Sequence, residues 1–279
     1  MHYRQTAKRA LLHLAKYSGA EWVRDKYWAA RGLLPASLLL FHRVTDAIPE
    51  DGITISTARF RAIIQALRDH YRPVSLSHLL DHIQQKQPWP PRTVVITFDD
   101  GYRDNYELAA PILAEYGVHA TFFVLADMIG TDRVLPWEEH LRGRIAWMDW
   151  NQVRELHALG FEVGSHTLTH PNLGVVSGEA AWEEISESKK KLEDQLGVKA
   201  DLFAYPFGRR ENLTEENRDL VRRAGYRCCC SAFGGFATLT TSPFDLARIP
   251  VNNSFASLAD LHFELRTGAP WRWLRPPEP

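Results

Sequence analysis

Short apolar runs alternate with longer segments of helical periodicity, and this alternation constrains the fold more than any other feature of the chain. The runs that predict strands are residues 37–41, 94–98, 120–124, 162–165, 202–205, 226–229 and 248–251. The helical segments between them are residues 57–70, 77–85, 105–116, 149–159, 178–196 and 211–224. Repeated strand–helix alternation predicts a mostly parallel sheet, either open or closed into a barrel.

Cap and turn residues support these boundaries. Ser77 is predicted to cap the second helix, because serine side chains accept hydrogen bonds from the first free N–H groups of a helix. Glycines follow the last apolar turn of four helices, where a left-handed residue commonly ends a helix. These glycines are Gly117, Gly160, Gly197 and Gly225.

We predict one domain, residues 33–263, with a basic amphipathic helical extension at residues 1–32 and a tail at residues 264–279. The chain has 279 residues, of which 45% are hydrophobic, so it can bury a sizeable core. Its net charge of -1 gives no reason to expect a nucleic-acid partner. Oligomeric state does not follow from these features.

The two ends of the chain and its cysteines bear on location. Residues 1–32 combine basic residues with Leu, Trp and Tyr, and the sequence WRWLR at 271–275 has the same character. Such a segment either packs on the domain or lies on an anionic membrane surface. No signal-peptide h-region stands out, and residues 228–230 are three consecutive cysteines that suit core packing rather than a disulfide framework. We therefore expect a cytoplasmic protein, in peripheral contact with the cytoplasmic side of a membrane.

Two adjacent carboxylates, Asp99 and Asp100, follow the predicted strand 94–98 and precede Gly101. Asp-Gly is a common turn sequence, so an ordinary turn is one interpretation. The other is an active site, because catalytic groups of strand–helix folds lie at the carboxyl ends of strands. Adjacent carboxylates are also costly to desolvate without a cation nearby.

Two histidines, His166 and His170, follow the predicted strand 162–165 and are spaced so that both can bind one metal ion. Spacing alone is a weak criterion, since His78 and His82 are also four apart. The latter pair lies within an amphipathic helix, and a solvated helix face explains it. Because Pro171 disfavours helical geometry at His170, the first pair occupies a turn at a strand end.

Three further strand ends carry polar or turn-forming residues. The segment FAYPFG at 203–208 predicts a tight turn able to aim a backbone N–H into a site. His42 follows the strand 37–41, and Arg248 is a lone cation in an apolar stretch. Taken alone, each has a structural interpretation: an aromatic turn, a core histidine and a buried ion pair.

Three motifs in this order, TFDDGY (97–102), SHTLTH (165–170) and FAYPFG (203–208), resemble the first three motifs of the polysaccharide deacetylases, which are carbohydrate esterase family 4 with its NodB-homology domain. The resemblance covers roughly residues 33–253. The fold of that family implies an α/β protein with a distorted (β/α)7-type barrel in a single domain.

The resemblance also implies site roles. Asp100, His166 and His170 would bind a divalent metal, usually zinc, and Asp99 would be the general base that takes a proton from the attacking water. Such a ligand set leaves positions on an ion open for water and substrate.

Backbone and aromatic groups complete the implied site. The N–H of Phe207 would stabilise the tetrahedral oxyanion, a contribution typically worth about 10²–10³ in rate. Tyr102 and Tyr205, which lie within the first and third motifs, are predicted to contact the substrate.

Two positions depart from the common pattern of the family. Ala204 stands where relatives carry an arginine that orients the base, and residues 246–248 (LAR) replace a Leu-x-His motif whose histidine is the general acid. Some exopolysaccharide deacetylases take that histidine from an N-terminal strand, in a sequence similar to FHRV at 41–44. We therefore predict that His42 is the acid and that Arg248 replaces the missing arginine, with its guanidinium bonded to Asp99.

The expected activity is metal-dependent hydrolysis of acetyl groups from the N-acetylated sugars of a cell-surface polysaccharide or exopolysaccharide. An acetyl esterase acting on an O-acetylated glycan is an alternative, because acetamide and acetate ester need the same groups. A non-catalytic carbohydrate-binding protein is a second alternative, but it would be expected to lack a ligand or the base.

Overall fold

A computed structural model describes residues 23, 26–29, 31, 34–176, 178–253 and 258–267. Its strands are β1 Ser37–Phe41, β2 Arg43–Val44, β3 Thr54–Ile55, β4 Arg72–Val74, β5 Thr93–Phe98, β6 Thr121–Val124, β7 Glu162–Ser165 and β8 Ile249–Pro250. Its described α-helices are α1 Thr57–His70, α2 Leu76–Gln85, α3 Ala110–Tyr116, α4 Trp150–Ala158, α5 Gly178–Leu196, α6 Glu215–Arg223 and α7 Leu258–Thr267.

The parallel strands close into a ring of seven positions. Hydrogen-bonded neighbours run in the order β7, β6, β5, β1 and β8, and β4 adds to the first half of β5. Three single parallel bridges complete the ring between β7 and the segment that leads into β8: Ser165 with Phe203, Ala204 with Cys230, and Cys230 with Leu246. The structure is therefore a distorted α/β barrel, as the alternation and the resemblance predicted.

The predicted strand 202–205 is reduced to single bridges at Phe203 and Ala204, and the strand predicted at 226–229 is absent, with a bridge only at the next residue, Cys230. Pro206 has no N–H to extend the ladder beyond Tyr205. The N–H of Cys229 donates to the carbonyl of Pro243 (3.0 Å), the first residue of the 3₁₀ turn Pro243–Asp245, so this N–H does not pair with an extended strand. This local loss of pairing is the distortion of the barrel.

The central strands are buried on both faces. Every residue of β1 and β5 is buried, which is usual for parallel strands that face a barrel interior and an outer layer of helices. Aromatic rings pack the outer side, with Phe98 stacked on Phe41 (5.4 Å) and on Phe122 (4.8 Å). The three cysteines are free and buried, in agreement with the predicted packing role.

Helix α2 begins one residue earlier than predicted. The side chain of Ser75 accepts a hydrogen bond from the N–H of His78 (3.1 Å), so Ser75 caps the helix and the prediction for Ser77 is wrong. The N–H of Ser77 instead donates to Glu162 (2.9 Å) at the start of β7. Local preference did not distinguish two serines two residues apart, and this contact from another strand explains the difference.

The remaining helix ends follow the predicted pattern closely. All four predicted terminating glycines have positive φ: Gly117, Gly160, Gly197 and Gly225. The predicted helix 211–224 divides into a 3₁₀ turn, Arg210–Asn212, and α6, because Thr214 caps α6 by accepting from the N–H of Asn217 (3.1 Å). The predicted helix 105–116 begins as a π-helical turn, Asn105–Ala109, before α3.

The segments predicted to contact a membrane lie largely outside the described residues. The predicted extension at 1–32 and the predicted tail at 264–279 are the same segments, so their bounds also stay predictions. Val23 and Tyr27, four residues apart, are 60% and 52% exposed. Among the described helices, none has the length and hydropathy required to cross a bilayer.

Substitution of Gly164 on β7 tests how tightly the ring is packed. A Cβ atom there would lie 2.6 Å from ring carbons of Phe123 and 2.9 Å from the carbonyl oxygen of Leu202. We expect Gly164→Ala to lower the free energy of unfolding by about 1–3 kcal/mol, the usual effect of overpacking, as measured by urea denaturation. Gly52→Ala is the matched control, because no atom lies within 4 Å of its added Cβ. Equal unfolding free energies for the two variants would contradict the expectation.

Candidate active site

The functional residues predicted from distant motifs gather around the carboxyl ends of the barrel strands. His42 follows β1, Asp99 and Asp100 follow β5, and the two predicted histidine ligands follow β7. The ring arrangement accounts for this convergence, since parallel strands present their carboxyl ends at one face.

Three side chains form a group able to hold a metal ion. Oδ1 of Asp100 lies 3.4 Å from Nε2 of His166 and 3.5 Å from Nε2 of His170. Ligand atoms on one tetrahedral ion with bonds of about 2.0–2.2 Å are separated by about 3.3–3.6 Å. The spacing of Asp100, His166 and His170 therefore fits a small divalent ion such as zinc.

The protonation of both histidines suits metal binding. Burial lowers the pKa of His166 to about 3 and that of His170 to about 4, so both rings are neutral at physiological pH. Nδ1 of His166 lies 2.9 Å from the carbonyl oxygen of Ala204, which fixes the proton on Nδ1 and leaves the Nε2 lone pair for an ion.

Asp100 is the least satisfied carboxylate of the group. Its Oδ1 is buried and has no hydrogen-bond partner in the described part of the chain. Burial raises the pKa of Asp100 to about 7, and the negative charges of Asp99 and Glu138 act in the same direction. A cation at this position would stabilise the charged carboxylate, so the residues present fit a divalent metal.

Asp99, in contrast, is fully paired. Arg248 donates from Nη1 to Oδ1 (2.6 Å) and from Nη2 to Oδ2 (2.7 Å), so the guanidinium binds both carboxylate oxygens. Burial alone would raise the pKa of Asp99, but the charge and hydrogen bonds of Arg248, together with the charges of His166 and His42, hold that pKa below its ordinary value. Asp99 is thus an ionised carboxylate beside the metal-binding group, 3.8 Å from Nε2 of His166.

The Arg248 side chain is itself completely buried and anchored from two other ring positions. Nε donates to the carbonyl of Ser231 (2.8 Å), and Nη1 also donates to Oγ1 of Thr97 (3.1 Å). The contact with Asp99 predicted for Arg248 is present, and it comes from the residue immediately before β8 rather than from position 204.

His42 lies at the edge of the same group and is partly exposed. Its backbone carbonyl accepts a hydrogen bond from the side-chain amide of Asn105 (2.6 Å), which ties the end of β1 to the segment after Asp100. Burial lowers the pKa of His42, while the nearby charges of Asp100 and Asp99 act in the opposite direction. Its ring is therefore within electrostatic reach of both carboxylates.

One carboxylate holds the loop that carries both predicted histidine ligands. Glu184 of α5 accepts from the N–H of Leu168 (2.9 Å), the N–H of Thr169 (3.0 Å) and Oγ1 of Thr169 (2.6 Å). Within this loop Thr167 and His170 have positive φ, a conformation that costs of order 1–3 kcal/mol for each such residue. Glu184 thus stabilises an unfavourable backbone that brings the two rings together.

The turn at Phe207 also has an unusual backbone. Phe207 and Gly208 have φ of 61° and 59°, and a Cβ on Gly208 would lie 2.5 Å from the backbone nitrogen of Ala232. The N–H of Phe207 donates to no protein group in the described part of the chain. It is available for the predicted oxyanion contact, and the Phe207 ring lies 4.7 Å from that of His170.

Neither tyrosine predicted to contact substrate is accessible, so both predictions are corrected. Tyr102 is 1% exposed, and its hydroxyl donates to Glu138 (2.7 Å). Tyr205 is 0% exposed and packs against Phe203. Tyr205 is next to Ala204 on the same strand segment, and successive side chains of a strand point to opposite sides, so its ring enters the layer outside the barrel.

The other histidine pair is separate from the site. His78 and His82 lie on α2, with their Nε2 atoms 3.2 Å apart, and His78 is exposed. Since α2 begins at the amino end of β7, where its first N–H groups bind Glu162, this pair belongs to the opposite face of the barrel.

Three residues near the site were missed by sequence reasoning. Glu138 is buried and accepts hydrogen bonds from both Arg43 and Tyr102, Trp137 packs on His170, and Glu184 holds the ligand loop. The first two lie between β6 and α4, in a segment with no apolar periodicity. Their positions depend on tertiary contacts, and no sequence motif marks them.

Comparisons with known proteins indicate which family this chain belongs to. The sequence profile of the polysaccharide deacetylase family matches residues 86–229. YxkH of Bacillus subtilis, named as a polysaccharide deacetylase, is 28% identical over 231 residues, covering 81% of this chain and 75% of YxkH. The poly-beta-1,6-N-acetyl-D-glucosamine N-deacetylase of Escherichia coli is 24% identical over 72% of this chain, but the match spans only 34% of that enzyme.

A solved structure gives the same fold. The Streptococcus pyogenes deacetylase PplD, determined in complex with acetate, superposes with a TM-score of 0.69 at 23% identity, covering 82% of this chain and 96% of PplD. That likeness confirms the barrel. With the family profile matching just over half of the chain, the protein belongs to the polysaccharide deacetylase family of hydrolases.

Proposed function

We propose that this protein is a metal-dependent N-deacetylase acting on an N-acetylated polysaccharide. The observation that carries the proposal is the placement of an ionised, arginine-bound carboxylate, Asp99, beside the ligand group Asp100, His166 and His170. One carboxylate is thus ionised and can accept a proton, while its neighbour is positioned to bind an ion.

A divalent ion bound by that group would supply Lewis-acid polarisation of the acyl carbonyl and lower the pKa of water. Asp99 accepts the proton of the attacking water. Arg248 keeps Asp99 ionised and fixes the orientation of its carboxylate, because both oxygens are bound.

Two further groups serve the later part of the reaction. The free N–H of Phe207 donates to the carbonyl oxygen of the acyl group as negative charge develops on it. His42, at the edge of the site, donates a proton to the departing amine, which is a poor leaving group unless protonated.

The choice of an amide over an ester rests on the relatives. The Escherichia coli relative is named as an N-deacetylase of poly-beta-1,6-N-acetyl-D-glucosamine, and an enzyme from Staphylococcus aureus with the same name is 23% identical over 72% of this chain. An acetyl esterase would use the same residues. A non-catalytic binding protein is disfavoured, since the three ligands and the base are all present and lie close together.

The first test separates metal binding from turnover. Acetate release from N-acetylglucosamine oligomers should require added zinc after chelation of the purified protein. Asp99→Asn should abolish nearly all turnover but retain zinc, because it removes the base and leaves the ligands in place. Zinc content and acetate release are the measurements, and Asp219→Asn, an exposed position on α6, is the control. Turnover near the wild-type rate in Asp99→Asn would exclude the proposed base.

The pH profile tests the Arg248–Asp99 pair. Since Arg248 lowers the pKa of Asp99 and the base must be ionised, Arg248→Met should move the acidic limb of kcat/KM to higher pH. Breaking a buried pair also costs about 3–5 kcal/mol, so Arg248→Lys, which keeps the charge, is the second variant if the first does not fold. An acidic limb at the wild-type pH in a folded Arg248→Met protein would contradict this role.

The acid role of His42 is tested by varying the leaving group. His42→Ala should lower acetate release from the glycan by about 10²–10⁴. Hydrolysis of 4-nitrophenyl acetate, whose leaving group needs no proton, should fall far less. His78→Ala, on the opposite face of the barrel, is the control. Equal losses on the two substrates would argue against proton donation by His42.

A further inference from the structure

Two exposed aromatic side chains border the metal-binding group. Trp137 is 47% exposed and Phe207 is 43% exposed, although large aromatic side chains usually bury most of their surface. Their ring centroids lie 5.4 Å apart, and the ring of His170 lies 5.2 Å from Trp137 and 4.7 Å from Phe207. The three rings form one continuous surface, which we call the aromatic wall.

The wall is held rigidly although it is exposed. Trp137 lies in the 3₁₀ turn Pro136–Leu141, and the next residue, Glu138, is buried and accepts hydrogen bonds from Arg43 and from the hydroxyl of Tyr102 (2.7 Å). The opposite side is fixed by the close contact of Gly208 with Ala232. An exposed apolar surface on anchored turns, next to a reactive centre, is characteristic of a ligand-binding site.

Arg43 extends this anchoring to the end of β1. Its guanidinium donates to Asp51 (3.0 Å) and to Oγ1 of Thr54 (2.8 Å) as well as to Glu138, and it lies 5.2 Å above the ring of Tyr102. Arg43 directly follows His42. The turn that carries Trp137 is therefore fixed relative to the predicted acid as well as to the ligand His170.

We infer that Trp137 and Phe207 bind the C–H face of a pyranose ring whose substituents are equatorial. In such a sugar the ring hydrogens gather on the two faces and the hydroxyls lie around the rim. The apolar face is thereby free to stack on an indole ring, whose π-face attracts partially positive hydrogens. Because the wall contacts a metal ligand, a ring stacked there holds an acyl substituent near Asp100. This inference rests on the proposed function and assigns these two residues to substrate positioning.

The binding test uses the full-length Asp99→Asn protein loaded with zinc, so that oligosaccharide is bound without turnover. In this background, Trp137→Ala should raise the Kd for a β-linked N-acetylglucosamine pentamer on the order of tenfold, as measured by calorimetry. Trp137→Phe should recover most of the affinity, because an aromatic face is restored. Leu159→Ala, another exposed apolar side chain (64%), should leave the Kd unchanged.

Kinetics and metal binding distinguish the remaining outcomes. In the otherwise wild-type protein, Trp137→Ala should raise KM for the pentamer by a larger factor than it lowers kcat, and its zinc affinity should stay near wild type. Weaker zinc binding in Trp137→Ala would overturn the inference, since the wall would then only shield the ligands. An unchanged Kd and KM in an active enzyme would also overturn it. Failure of the wild-type protein to release acetate from any glycan would instead reject the proposed function.

Discussion

The buried pair of Arg248 and Asp99 is the interaction on which the site depends. Both side chains are removed from water, which would be costly for either alone, and the bidentate geometry offsets that cost. The same guanidinium binds the carbonyl of Ser231 and the hydroxyl of Thr97, so it connects three ring positions inside the barrel. One cation therefore fixes both the charge of Asp99 and the relative positions of the strands that present the site.

The contrast between the adjacent carboxylates follows from that pair. Arg248 binds Asp99 on both oxygens, and the pKa of Asp99 is lowered. Asp100 has no comparable partner, and its burial beside other carboxylates raises its pKa to about 7. Two chemically identical side chains thus acquire different properties: one is a stable anion and the other needs a cation. Such a divergence between neighbouring carboxylates is how a site assigns separate acid–base and ligand roles.

Much of the fold and the candidate metal-binding group could be predicted from the sequence, because both depend on local patterns. Apolar runs marked the strands, and the motifs at their carboxyl ends contained Asp100, His166 and His170. The roles of Glu138 and Glu184 could not be predicted in this way. Each carboxylate acts on backbone or side chains more than ten residues distant, and only the folded chain shows which groups it reaches. The directions of two side chains were also predicted wrongly. Tyr102 and Tyr205 lie within the motifs and were expected to contact the substrate, but both rings are buried away from it.

The position of Arg248 has a consequence for how such sites diversify. Inside a closed ring, a long side chain from any of several strands can reach the same central carboxylate. The guanidinium that neutralises Asp99 therefore need not come from position 204, where the backbone carbonyl of Ala204 is instead bound to His166. Spatial position, rather than place along the chain, then decides which side chain can neutralise Asp99. An enzyme of this architecture can exchange the strand that supplies a charged group while its chemistry stays the same, and an alignment of motifs alone would record the exchange as a loss.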